Sequence, residues 1–379
     1  MLSPLELRGH YSEFLKPGRV LLTGHSHQAW PDLARGGMLE CFDDAAKLAD
    51  DKWPAAFAAG DAVRQYVGRC LGTGSAQIAL APNTHELVLR FLSALDLKAR
   101  PLLVTTTGEF QTITRQLRRL AEDKTIEVQW VEALPAKTLC ERLASATDEK
   151  TAAVLTSTVL FETGSRVPGI GALVAHARAR GAEVLLDAYH AFSTVPFTLQ
   201  SLGAADAFVV AGGYKYAQWG EGCCFLRVPP REFRPVITGW FAGFSQLAAK
   251  TEGVPYGPLG AESFAGSTYD PVSHYRARAV IRFFEEQGMT VDVLREVSLR
   301  QTQRLMDGLE GYELATPRAP DDRAGFVAVR TARAGQLVEA LRSEGIVADS
   351  RGDLLRLGPA PYLLDEELDR STALLRRWR

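Results

Sequence analysis

Glu183–Val184–Leu185–Leu186–Asp187–Ala188–Tyr189–His190 is a short apolar run closed by a carboxylate. Consecutive apolar residues without alternation predict a strand covered on both faces, as in a parallel sheet, rather than one with a solvated side. The pattern recurs outward in both directions. Upstream, Ala152–Ala153–Val154–Leu155–Thr156, Glu127–Trp130 and Pro101–Leu102–Leu103–Val104–Thr105–Thr106 read as strands, and downstream so do Ala207–Ala211 and Cys223–Val228. Helical spacing fills the gaps: Thr84–Leu97, capped by Asn83 or Thr84, then Thr112–Ala121, Ala136–Ala146 and Gly171–Arg180. Strand and helix in alternation predict an α/β fold, a mostly parallel central sheet with helices on both faces.

The flanks differ. Residues 1–20 are mixed in character and read as an N-terminal arm. Leu21–Ser26 gives a brief extended segment, and Pro31–Leu71 is helical with breaks at Trp53–Pro54 and Gly60. Pro229–Pro230 and an irregular, Gly-rich region to Pro271 separate the central block from the C-terminal part of the chain. That part carries helical patterns at Ser273–Gln287 and Val291–Leu309, a strand at Gly325–Arg330 and a helix at Ala334–Glu344. Short strands near Ile346–Val347 and Leu354–Leu357 precede a last helix from Asp365. The expected division is an arm (1–20), a large domain (21–255) and a smaller C-terminal α+β domain (256–379).

Composition narrows the class of function. With 379 residues, 46% hydrophobic and 23% charged, the chain can bury a large core. A formal net charge of −2 carries no electrostatic footprint for nucleic acid or an anionic membrane. The five cysteines, Cys41, Cys70, Cys140, Cys223 and Cys224, form no C-x-x-C pair, which speaks against a disulfide framework or a zinc site. The start lacks a basic region followed by an apolar run, and no apolar stretch is long enough to span a bilayer. A cytoplasmic protein without a metal is the expectation.

Several places carry candidate chemistry. Ala207–Ala211 runs into Gly212–Gly213–Tyr214–Lys215–Tyr216, which puts a lysine where it can leave water. Desolvation disfavours the ammonium, lowers its pKa and makes the amine a nucleophile suited to a Schiff base. A solvated surface turn would use the same residues. Asp187 closes a buried strand at the edge where open α/β sheets hold ligands. A protonated pyridine nitrogen would pair with it, and so would the N-terminus of a following helix. Asn83–Thr84, just before a helix, suits a phosphate or simple capping. Phe110, past a strand end, could stack on a planar ring or pack in the core. Arg356, inside Leu354–Leu357, suits a substrate carboxylate or an internal ion pair.

The order of these signals, anion seat, aromatic, strand-end Asp, strand-end Lys and C-terminal Arg, resembles fold-type I pyridoxal-phosphate enzymes of the class V aminotransferase group. Within that group it is most similar to the kynureninase family. The resemblance runs from about Leu21 to Tyr362. Gly24–His25–Ser26 resembles the family's Gly-Asn-Ser segment, Asp187–Ala188–Tyr189–His190 its Asp-x-x-His, and Tyr214–Lys215–Tyr216 its Tyr-Lys-Tyr. Gly239–Trp240–Phe241 and Arg356–Tyr362 match two further segments.

The resemblance implies that Lys215 is the Schiff-base lysine, Asp187 the partner of the pyridinium nitrogen and Phe110 the stacking residue. It implies that Asn83, Thr84 and Tyr214 hold the phosphate, that His190 lies near the ring, and that Trp240 and Thr268 reach a phosphate, the latter across a homodimer interface. Ser26 and Arg356 would bind substrate, and Tyr214 would relay a proton. The implied activity is hydrolysis of kynurenine, 3-hydroxykynurenine or a related β-acyl amino acid. A C–S lyase, desulfurase or aminotransferase is the alternative on the same cofactor, and a non-catalytic binding protein the alternative outside enzymes. Three departures bear on the substrate. The family's Phe-Pro-Ser/Thr-Asp reads Phe110–Gln111–Thr112–Ile113 here, the Ser/Asn that lines its cofactor and substrate region appears as Ser267–Thr268, and His25 and His27 replace its Asn and Leu.

Overall fold

A computed structural model describes residues 2–246, 248, 252–257 and 260–379. In chain order the helices are α1 (Pro4–Arg8), α2 (Ala34–Leu48), α3 (Trp53–Leu71), α4 (Thr84–Ser93), α5 (Gln111–Glu122), α6 (Leu139–Ser145), α7 (Ile170–Ala179), α8 (Val272–Glu286), α9 (Val291–Gly308), α10 (Ala334–Ser343) and α11 (Asp365–Arg377). The strands are β1 (Val20–Leu21), β2 (Ile78–Ala81), β3 (Leu102–Thr106), β4 (Glu127–Val131), β5 (Thr151–Ser157), β6 (Glu183–Asp187), β7 (Phe208–Gly212), β8 (Cys224–Arg227), β9 (Glu313–Leu314), β10 (Val327–Arg330), β11 (Ile346–Val347), β12 (Asp349–Arg351) and β13 (Leu354–Leu357).

The seven-stranded sheet has the order β2-β8-β7-β6-β5-β3-β4. Strands β3 to β7 pair in parallel, while β8 pairs antiparallel with both β7 and β2. The mostly parallel sheet expected from the apolar runs is present, with β8 as its reversed member. Strands β5, β7 and β8 are buried at every position, which is why they read as unbroken apolar runs; edge strand β4 alternates. Two apolar clusters flank the sheet, one containing Val154, Val184, Leu186 and Val209, the other Leu103, Leu155, Leu185 and Val210. Alternate residues of β6 thus face opposite layers, and each fully buried side chain contributes about 1.5–3 kcal/mol.

Several element boundaries differ from the sequence expectation. Helix α4 stops at Ser93 rather than Leu97, because Asp96 accepts the N–H of Ala99 and starts a local turn. Gly60 does not interrupt α3; a Cβ there would sit 3.3 Å from His274 Nδ1, so glycine lets α3 and α8 pack closely. Residues Ala136–Thr138 form a 3₁₀ turn before α6, and the strand expected from Gly325 begins at Val327.

The extended segment at Leu21–Ser26 does not join the large sheet. Strand β1 pairs in parallel with β11, and Gly24 and Leu22 bond to Gly358. The preceding residues fold back as well: Tyr11 is buried and its hydroxyl donates to Gln218 at 2.6 Å. A four-stranded sheet, β12-β13-β10-β9, forms the C-terminal layer. No described helix is long and apolar enough to cross a membrane.

Candidate active site

The C-terminal ends of β2, β3, β5, β6 and β7 lie along one edge with the N-terminal end of β8, because β8 alone is reversed. At that edge is a cavity of about 250 Å³. Asn83 and Thr84 reach it after β2, Phe110 after β3, Ser157 from the end of β5 and Asp187 from the end of β6. His190, Tyr214, Lys215 and Cys224 complete the wall. Parallel strands diverge into their loops at this edge, which leaves room for a ligand.

Lys215 is buried, and its Nζ lies 2.8 Å from His190 Nε2. The amine stands 4.5 Å from the centre of the Tyr189 ring, 5.6 Å from Tyr214 and 5.7 Å from Phe110, a largely aromatic surround. Burial brings its pKa down to about 7, against the opposing pull of Asp187. Burial also holds His190 well below the usual histidine range, so the imidazole is neutral and accepts from the lysine. His190 Nδ1 is then a buried donor with no partner. Two glycines deliver the lysine here. A Cβ on Gly212 would fall 2.3 Å from Cys224 Sγ, and one on Gly213 2.5 Å from the Trp219 ring.

Asp187 Oδ1 accepts the N–H of Tyr189 at 2.8 Å. Burial raises its pKa, while that bond and the Lys215 charge pull the other way. Behind it sits Glu109, 3% exposed, whose two oxygens accept the backbone N–H and the hydroxyl of Ser157, each at 2.7 Å. On the opposite side, Asn83 Oδ1 caps α4 by accepting the N–H of Glu86 at 2.9 Å, and Thr84 is the first helical residue. The Asn83 side chain is therefore already engaged in capping.

Arg356 does not line the cavity. It is 3% exposed, and its Nε and Nη2 grip both oxygens of Asp349 at 2.9 and 2.5 Å. The pairing follows from the hairpin register, which sets Asp349 directly opposite Arg356. Nη1 donates to the carbonyl of Phe161, which does line the cavity. His25 bonds Asp349 through Nε2 at 2.9 Å and stacks on Phe326, which also lies against His190. Burial lowers His25 to about 4, and its partners hold the Asp349 carboxyl well below the usual range. Ser26 Oγ donates to Thr23 within its own turn at 3.2 Å, while neighbouring His27 stacks on Tyr214.

Trp240 and Thr268 also lie outside this cavity. Trp240 Nε1 donates to Thr268 Oγ1 at 3.3 Å on an exposed face. Thr268 lines a second cavity of about 1070 Å³ that shares Pro82, Glu221 and Gly222 with the first. Among the described residues no group of three or more His, Cys, Asp or Glu could hold a metal ion.

Sequence reasoning passed over Glu109, Ser157, Phe161, Phe326 and Asp349. A lone acid after a strand looks like surface, and nothing local marked Glu109 as buried. Asp349 was more accessible to inference. A buried arginine in a short strand calls for an acid across the adjacent turn.

Residues 292–375 match the family model of the kynureninase C-terminal domain. The kynureninase of Deinococcus radiodurans is 30% identical over 330 residues, covering 83% of this chain and 76% of that protein. The kynureninase of Bacillus mycoides is 24% identical over 399 residues, covering 98% and 91%. Among solved structures, the cystine C–S lyase C-DES in complex with cysteine persulfide superposes with a TM-score of 0.83 at 17% identity, covering 96% and 98%. The apo cysteine desulfurase of Thermococcus onnurineus gives 0.81 at 17% identity, covering 100% and 99%. The fold is thus that of fold-type I pyridoxal-phosphate enzymes.

Proposed function

The chain belongs to the kynureninase family, and on that premise we propose that it hydrolyses the Cβ–Cγ bond of L-kynurenine, 3-hydroxykynurenine or a related β-acyl amino acid. The products are an anthranilate-type acid and L-alanine. One observation carries this reading: a buried amine of lowered pKa, Lys215, shares a cavity with the strand-end carboxylate Asp187.

The residues present fit pyridoxal 5′-phosphate. An imidazole (His190), an amine ready to lose its proton, a half-buried strand-end carboxylate (Asp187) and the N-terminal end of α4 all line one space. Bound there, the cofactor supplies an electron sink for charge developing at the substrate α-carbon. Asp187 would hold a proton at the ring nitrogen, Phe110 would stack on the ring, and His190 would lie close to it. Asn83 through its backbone, Thr84 and Tyr214 would hold the phosphate. Lys215 takes and returns a proton at the substrate α-carbon. Burial pushes the Tyr214 hydroxyl up to about 12, so it stays protonated at neutral pH and can donate.

Arg356 is the proposed clamp for the substrate carboxylate, with Ser26 on the same side. For that role the substrate must compete with Asp349 for the guanidinium fork. Trp240 and Thr268, which lie outside the chain's own cavity, are assigned to a cofactor phosphate, Thr268 to that of the partner's site in a homodimer. The proposed division remains an arm (1–20), a cofactor domain (21–255) and a C-terminal domain (256–379). A cytoplasmic location goes with five free cysteines.

The second reading is C–S bond cleavage, in keeping with the lyase among the structural relatives. Cys224 lines the cavity, but burial pushes its thiol up to about 12, which suits packing rather than a desulfurase nucleophile. Incubation with kynurenine, 3-hydroxykynurenine and S-substituted cysteines decides between them. Anthranilate-type product supports hydrolysis; pyruvate from a thioether, with no reaction of either kynurenine, overturns it.

A further inference from the structure

Glu109 is a buried carboxyl without a task in the proposed hydrolysis. It stands immediately before Phe110, after the end of β3, and is closed off from solvent. Ser157 clasps both its oxygens, by the backbone N–H and by the hydroxyl, each at 2.7 Å. Ser157 is the register partner of Asp187 across β5 and β6, and the next residue, Thr158, donates its N–H to the Asp187 carbonyl at 2.8 Å. Ser157 also lines the cavity. Glu109 is therefore bonded to the residue that lies directly opposite Asp187 across the sheet, and the Asp187 side chain stands in the cavity wall.

We propose that Glu109 is a positioning residue for Asp187: it holds a proton of its own, so that the pair presents one negative charge rather than two to the group bound in the cavity. This rests on the reading of the cavity as the cofactor's seat. The physical reason is repulsion in a dry environment. Charging a carboxyl closed off from solvent is costly when a second carboxyl, that of half-buried Asp187, belongs to the residue opposite its Ser157 partner, and the one with less access to the cavity keeps its proton. From its own loop Glu109 meets the apolar Phe110, and from β5 it meets the donors of Ser157. From β6 it feels the charge of Asp187, beyond which stands Lys215. Burial first and Asp187 second raise Glu109 to about 8, and the two Ser157 bonds limit that rise. At neutral pH a single charge at Asp187 then balances a protonated ring nitrogen. In alkali Glu109 ionises, and the added charge is felt by the ring.

The test is the cofactor's absorption band in the holoenzyme, followed from pH 6 to 10. The wild-type band shifts in a transition on the alkaline side; in Glu109→Gln that transition is missing. In Ser157→Ala, which removes one donor to the carboxylate, it moves to higher pH. Each variant is read alone, so a failure of one to fold leaves the other decisive. A purely structural role would leave the midpoint in place. A Glu109→Gln or Ser157→Ala band that titrates like the wild type overturns the proposal for Glu109 while the cofactor reading stands. A wild-type protein with no such band after incubation with pyridoxal phosphate overturns both.

Discussion

The Lys215 amine and the His190 imidazole, both buried, meet at 2.8 Å in the wall of the cavity. His190 is neutral there, so the pair carries at most one proton, and it belongs to the lysine. Lysine reactivity and histidine orientation are thereby coupled. The amine must lose its proton before it can attack a carbonyl, and deprotonation is complete only above about pH 7.

The rate at which apoenzyme acquires the cofactor absorption band should therefore rise with pH through a midpoint near 7. Stopped-flow mixing with pyridoxal phosphate measures it. His190→Phe removes the acceptor that favours the ammonium and should move the midpoint lower. A midpoint close to the ordinary lysine value of 10.5 would contradict the buried amine.

The same shift has a stability consequence. Lys215 is protonated in the unfolded chain up to pH 10.5 but in the folded chain only up to about 7. Folding below pH 7 therefore bears the full cost of burying the ammonium, and that cost fades as pH rises from 7 towards 10.5. Lys215→Met should stabilise the apoenzyme at pH 6 by on the order of 2–4 kcal/mol. The gain should shrink steadily above pH 7. Denaturant melts at pH 6 and 9 test this, and an equal gain at both would refute it.

Arg356 is gripped at both ends of its fork, so its loss has two effects. Arg356→Ala should raise KM for carboxylate substrates by roughly tenfold to a hundredfold, the equivalent of about 1.5–3 kcal/mol. It should also lower stability, since Asp349 loses its nearest cation and keeps only the longer contact to Arg351. Arg356→Lys keeps charge but not the fork and should shift KM more than kcat. Unchanged KM in both variants would leave Arg356 a structural ion pair with Asp349.

Asp349 itself has an acid signature. Its folded pKa lies below the unfolded value of 3.8, so its contribution is present above that pH and is lost as pH falls through the acid range. Asp349→Asn should cost most stability at pH 7 and progressively less as pH falls below 3.8. Thermal melts across that range report it, and a pH-independent cost would exclude the charge as the cause.

The proposed sharing of sites across a homodimer predicts complementation. Lys215→Ala and Thr268→Ala chains, each weak alone, should recover activity when co-refolded, because one mixed site would then carry both intact residues. Absence of recovery in a confirmed mixed dimer would confine Thr268 to its own chain.

Most of the fold was legible from residues 79–228, where apolar runs and helical spacing alternate and each pattern reports burial directly. Strand β6 was read residue for residue because three buried positions between two acids leave no other register. The convergence of Asp187 and Lys215 was expected from the family resemblance, and the strand order, which sets β6 beside β7, brings the two residues to one cavity. The local chain could not reveal where β1 would pair, because two residues carry no preference between β11 and the large sheet. It could not reveal that Arg356 is already held by Asp349, which depends on a hairpin register, or that Glu109 lies beneath Asp187. Sequence determines what each residue prefers within a few turns of chain. Burial and charge pairing between distant residues exist only once the layers pack, and that packing sets the proton affinities of Lys215, His190 and Glu109.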